Sequence, residues 1–187
     1  MSKLETNTID NISGSSTLTI GDSNTSTIAL KSGATLTNFP TNTPAFEAHL
    51  SSSGSTTNNT ATKVQCNTEL YDTDNAYDNS TNYRFTPQTA GKYFVYGKMR
   101  VDENASNCNK LINYIYKNGS NYTYSLIDFD ANYGEGGTAM NGSIVDMNGS
   151  SDYVEMYVYT LTNNGNAMTL EGGSDRPTIF GAYRIIT

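Results

Sequence analysis

From residue 153 to residue 159 the chain alternates Val154, Met156 and Val158 with Tyr153, Glu155, Tyr157 and Tyr159. A period of two belongs to a β-strand, whose successive side chains point to opposite faces. This strand therefore has one aliphatic face and one amphipathic face, and a two-sheet sandwich buries the first while showing the second. Further strands are predicted over residues 93–101, 111–116, 122–129, 143–147 and 178–186. Asn118-Gly119 and Asn148-Gly149 fall between such runs, where Asn-Gly supplies the positive φ angles of tight hairpins. Only 16% of residues are charged, and polarity sits mostly in Asn, Ser and Thr, which compete with a helix backbone for hydrogen bonds. The 14 Tyr and 6 Phe suit strands with one dry and one wet face. The expected fold is all-β.

The first 43 residues differ from the rest, with no Tyr and a single Phe. Leu18 and Ile20 recur as Ile28 and Leu30, and a weaker copy follows at Leu36, each separated by Gly, Ser, Asn or Asp turns. Stripes this thin cannot build a core alone. Either the segment is disordered, or several copies wrap Leu18, Ile20, Ile28, Leu30 and Leu36 together into a stalk; the regular spacing favours the stalk. The two prolines of Pro40-Thr41-Asn42-Thr43-Pro44 favour an extended linker. The expected organisation is a β-repeat stalk or anchoring arm over 1–43 and a β-sandwich head over 44–187.

A formal charge of −7 and a pI near 4.5 argue against nucleic acid, whose recognition needs clustered Lys and Arg. No apolar run approaches the ~20 residues of a membrane helix, and no cationic head leads an apolar stretch as in a secretory signal. The chain is expected to be soluble, without membrane insertion, and either mature or exported by another route. Its two cysteines, Cys66 and Cys108, make no disulfide framework, and the sequence leaves open whether they pair. Sequons such as Asn79-Ser80-Thr81 arise by chance in so Asn-, Ser- and Thr-rich a chain.

Catalytic constellations are scarce. His49 is the only histidine, so neither a Ser-His-Asp triad nor a multi-histidine zinc site can form within one chain. Asp128, Asp130 and Glu135 are candidates for paired-carboxylate chemistry, but their polar surroundings read as solvated loop. Asp72-Thr73-Asp74-Asn75-Ala76-Tyr77-Asp78 resembles the start of an EF-hand loop, yet Tyr77 stands where the turn needs Gly, and Tyr83 where the closing Glu belongs. Gly134-Glu135-Gly136-Gly137 lacks the lysine and following helix of a phosphate cradle. No enzyme activity, cofactor or metal is expected. The abundant tyrosines are read first as packing between copies, and second as platforms for sugar rings.

Pro44-Ala45-Phe46-Glu47-Ala48 and then Tyr83-Arg84-Phe85-Thr86-Pro87-Gln88-Thr89-Ala90-Gly91-Lys92-Tyr93-Phe94-Val95 resemble the opening and central signature of the complement globular-head and tumour-necrosis-factor-like superfamily. Residues 145–154 are similar to that family's Leu-x-x-Gly-Asp-x-Val hairpin, with Ser151 in place of Gly. Residues 179–186 are similar to its last strand, with Ala182 in place of Gly. The resemblance covers residues 44–187 and implies a jelly roll, a compact homotrimer packed through aromatic residues, and non-enzymatic ligand binding. On it, Phe85, Tyr93, Phe180 and Tyr183 join Val154, Met156 and Val158 as the expected head core. The N-terminal stripes resemble in style the short β-repeats of bacteriophage fibres, spikes and other appendages.

The expected function is therefore that of a virion structural protein. Its trimeric stalk docks to other virion proteins, and its jelly-roll knob faces outward to touch a host-surface glycan or protein; the virion is assembled in the host cytoplasm. A capsid decoration protein and a secreted, extracellular lectin-like module are the alternatives.

Overall fold

The computed structural model describes residues 41–102, 108–129 and 134–185, together with Ser32. The stripe residues Leu18, Ile20, Ile28, Leu30 and Leu36 lie outside the described residues. The strands are β1 (Ala45–His49), β2 (Gly54–Ser55), β3 (Thr62–Lys63), β4 (Thr68–Asp72), β5 (Tyr77–Asp78), β6 (Arg84–Phe85), β7 (Gly91–Asp102), β8 (Cys108–Lys117), β9 (Ser120–Asp128), β10 (Gly137–Met147), β11 (Val154–Thr162), β12 (Thr169–Leu170) and β13 (Ile179–Arg184). No helix occurs among the described residues.

Every strand pairing is antiparallel, and the pairings divide into two sheets. The first runs β10-β7-β13-β1-β4, with β12 and β2 continuing from the end of β7. The second runs β5-β6-β11-β8-β9, with β3 beside β11. Together they form a jelly-roll sandwich, as expected.

Alternation places the core between the sheets. From β7 come Tyr93, Val95, Met99 and Val101; from β11, Val154, Met156 and Val158, all buried. Phe46 of β1 is the hub of the aromatic end, with ring centroids 4.3 Å from Tyr77, 4.7 Å from Phe85 and 5.2 Å from Phe180. Tyr93 meets Phe85 edge-on at 5.7 Å and donates its hydroxyl to Thr89 O. Asn113 is a polar tie through this core: fully buried on β8, it donates Nδ2 across to the carbonyls of Gly97 (2.9 Å) and Ala139 (3.2 Å) on the other sheet. It approaches Gly97 because that position has no side chain; a Cβ there would collide with Met156.

Two sequence expectations need correction. Tyr183 is not a core residue: it is 38% exposed, because Phe180 and Ala182 take the inward positions of β13 and an odd spacing from Phe180 turns Tyr183 outward. Asn148-Gly149 does not close a hairpin, because β10 belongs to the first sheet and β11 to the second. This turn instead carries the chain between sheets. Asn148 Oδ1 accepts the backbone N–H groups of Ser150, Ser151 and Asp152, and Gly149, at φ 71°, lies against the Thr89-Ala90 backbone, where a Cβ would not fit. Asn118-Gly119, by contrast, does join the paired strands β8 and β9, both residues having positive φ.

Candidate binding surface

The outer face of each sheet is aromatic, and the two faces differ in chemistry. On the first sheet, β7 turns Phe94 and Tyr96 outward, β13 contributes Tyr183, and β10 adds Met140 (66% exposed) and Ile144 (53% exposed). Phe94 lies 5.9 Å from Tyr96 and 5.7 Å from Tyr183, centroid to centroid. Tyr96 folds across Gly181, where any side chain would strike its ring, and donates its hydroxyl to Glu47 Oε2 at 2.6 Å. Burial, reinforced by that carboxylate, pushes the Tyr96 phenol well above its usual range. Phe94, Tyr96, Met140, Asn141 and Gly142 line a shallow cleft of about 420 Å³. Gly142 keeps it open, since a Cβ there would come within 3.0 Å of the Phe94 ring.

On the second sheet, β8 turns Tyr114 and Tyr116 outward beside Tyr157 of β11 and Tyr124 of β9. Tyr157 stacks on Tyr116 at 4.2 Å, Tyr116 meets Tyr114 at 5.8 Å, and Tyr114 meets Tyr124 at 5.7 Å. The rings form a ribbon across three strands. Lys63 stands 5.9 Å from the Tyr157 ring and is ion-paired with Glu155 at 2.5 Å. Lys110 pairs with Asp128 at 3.0 Å.

Between the two faces, the edges of β9 and β10 are capped by side chains. Asn141 donates to Asn113 O and Thr123 O, and Tyr122 donates to Ile144 O. This blunts edges that would otherwise template strand pairing.

The catalytic and metal candidates are not brought together. Asp128 is held by Lys110, Glu135 is exposed in a loop, and Asp130 lies outside the described residues. In the EF-hand-like stretch the carboxylates face their own backbone: Asp72 accepts the N–H groups of Asp74, Ala76 and Tyr77. Among the described residues no group of His, Cys, Asp and Glu side chains could hold a metal ion. His49 faces outward on β1 with Nδ1 buried and unpaired. Cys66 and Cys108 are both buried and free; burial raises the Cys66 thiol far above its usual range and Cys108 to about 11, so neither is a nucleophile near neutral pH.

Asp78 is also a structural carboxylate. The Thr81 N–H, with those of Ser80 and Asn82 and the Asn82 amide, holds it well below the usual carboxylate range. A depressed folded pKa contributes stability above the unfolded value of about 4, and that contribution fades as pH falls through the folded pKa. Asp78→Asn is expected to lower stability at pH 7 by about 1 kcal/mol, after allowance for solvent screening of this loop. Urea titrations at pH 7 and at about pH 2.5 check it: the gap between variant and parent narrows in acid, and a constant gap refutes the charge's role.

No protein-family model matches the sequence, and no curated protein is significantly similar to it. Solved structures do share the fold. The Eiger TNF of S. frugiperda superposes with a TM-score of 0.57 at 6% identity, over 76% of this chain and 92% of that one. The globular domain of zebrafish complement 1qA gives 0.54 at 12%, over 76% and 98%. Murine APRIL at pH 5.0 gives 0.54 at 10%, over 75% and 99%. The head thus has the jelly-roll fold of TNF-like and complement globular heads.

Proposed function

We propose that this chain is a non-enzymatic virion structural protein, a trimeric phage fibre, spike or related appendage. Its head packs as a homotrimer and attaches to a host surface, and residues 1–43 dock it to other virion proteins. The carrying observation is the outer face of the first sheet, where the exposed Met140, Ile144 and Tyr183 stand with the half-buried Phe94 and Tyr96 around an open cleft. A contiguous apolar patch of this kind marks an interaction surface, and the sequence resemblance implies that the occupant is a second and third copy. Support for the virion setting is the charge-poor, regularly striped N-terminal sequence. The tyrosine ribbon of the second sheet favours a second reading, a secreted lectin-like module with the same trimeric head.

Mass photometry of the full chain is expected to give three times 20.3 kDa. A stable monomer at micromolar concentration overturns the assembly. Deleting residues 1–40 is expected to abolish co-sedimentation with the source particle while the head remains trimeric. A truncated head that still sediments with particles removes the docking role from the N-terminal segment.

A further inference from the structure

We propose that the outer face of the second sheet is a docking platform for an uncharged glycan, with the Tyr157–Tyr116–Tyr114–Tyr124 ribbon as its floor. The inference draws on the proposed function only in leaving this face open to solvent while the first sheet packs against other copies.

The hydroxyl groups are the first argument. Tyr77, Tyr93, Tyr96, Tyr122 and Tyr159 each commit theirs to a protein acceptor: Cys66 O, Thr89 O, Glu47, Ile144 O and Asn59 Oδ1. The four ribbon tyrosines make no such bond among the described residues; their rings contact one another and their hydroxyls remain available. A phenol ring offers an electron-rich face to the C–H edge of a pyranose, while a free hydroxyl at its rim can donate to and accept from sugar hydroxyls. Successive rings 4.2, 5.8 and 5.7 Å apart make a track across β11, β8 and β9 rather than one isolated subsite.

Charge selects the class of glycan. The lysines bordering the ribbon are paired, Lys63 with Glu155 and Lys110 with Asp128, and Arg84, opposite Glu155 on the neighbouring strand, is engaged over the Tyr153 ring at 4.5 Å, so the face offers a sulfated or carboxylated polymer little free positive charge. A chain carrying −7 repels polyanions further. The side chain of Glu155 is only 5% exposed and tied to Lys63, so it offers nothing to a cationic ligand. A neutral polyol matches this surface, whereas a charged one would leave charge unpaired on one side.

The test is calorimetric titration of the full chain with cellohexaose, laminarihexaose, maltohexaose and a mannohexaose, alongside a chondroitin sulfate hexasaccharide. Tyrosine emission gives a second readout, since the chain has no Trp. At least one neutral hexaose is expected to bind below about 5 mM, Tyr116→Leu to weaken it about tenfold or more, and Tyr116→Phe to weaken it threefold or less. The Leu variant keeps apolar bulk but loses the flat ring, and circular dichroism checks that it folds. No neutral hexaose bound at about 5 mM, undiminished binding by Tyr116→Leu, or binding of the sulfated hexasaccharide alone each overturns the proposal. So does a mass above three chains that Tyr116→Leu abolishes, which would make the occupant a protein. The particle mass is measured first, so a monomer that still binds a neutral hexaose through Tyr116 refutes the trimer and leaves the platform standing.

Discussion

Phe46→Ala is expected to lower the unfolding free energy by about 4 kcal/mol, the cost of removing a fully enclosed aromatic side chain without refilling its space. Phe46 has no exposed surface and touches three other rings: Tyr77 and Phe85 nearly parallel to it, Phe180 edge-on. These rings come from β5, β6 and β13, so one side chain joins both sheets at that end of the sandwich. Collapse into the vacated space is opposed by the Tyr77 hydroxyl, anchored at 2.8 Å to Cys66 O. Total stabilities of single domains run from about 5 to 15 kcal/mol, so the variant loses a large fraction of its margin. Phe46→Leu, which refills most of the volume, is expected to cost about 1.5 kcal/mol. Urea unfolding at one fixed protein concentration measures both, because assembly would otherwise shift the apparent stability. A loss below about 1 kcal/mol for the alanine variant would show that the aromatic cluster repacks, and would sink the claim that Phe46 is its hub.

The long strands were legible because alternation is a local property. Val154, Met156 and Val158 predict their own inward face, and the strand pattern predicts β7, β8, β9 and β13 with boundaries within three residues, but only the last five residues of β10. The two-residue strands β2, β3, β5, β6 and β12 have no periodicity to read; they exist because a distant strand offers hydrogen bonds. Asn148-Gly149 misled for a related reason. Asn-Gly encodes a local φ, not the sheet that the next strand will join. Placing both Phe180 and Tyr183 in the core was an error of parity, since residues three apart on an uninterrupted strand face opposite ways.

The first outer face had a readable signal that alternation arguments tend to overlook. Tyr93-Phe94-Val95-Tyr96 is aromatic or aliphatic at every position, so both faces of that strand need cover and the sandwich core supplies only one. The tyrosine ribbon, by contrast, is a product of register. Tyr157 lies directly opposite Tyr114 and stacks on the diagonal neighbour Tyr116, a relation that no window of sequence contains. The acidic stretch from Asp72 to Asp78 shows how ambiguous composition is. The same carboxylate spacing that resembles a calcium loop is here consumed by backbone N–H groups of its own turns.

On the assembly proposed above, Ile144→Asp is expected to convert the proposed trimer to folded monomers at micromolar concentration. Ile144 is 53% exposed on β10, in register with Phe94 and on the same outer face as the cleft, so an aspartate there costs the isolated head little. Within a packed interface the same carboxylate would be stripped of water; the cleft wall of Phe94, Tyr96, Met140, Asn141 and Gly142 is uncharged, and Lys92, the cation diagonal to it on this face, is already paired with Asp146 at 2.7 Å. An uncompensated buried charge costs about 3 kcal/mol per copy. Over three copies that is about six decades in the dissociation constant of the assembly, more than an ordinary trimer can absorb. Ile144→Thr keeps the β-branched shape without the charge and is expected to remain trimeric, which separates electrostatic from steric loss. Mass photometry gives the assembly state, and circular dichroism with amide proton dispersion shows whether the aspartate monomer is folded. A trimer that survives Ile144→Asp places the contact between copies on some other surface, and a variant that fails to fold is resolved by Tyr183→Asp, on the same face but anchored by β13.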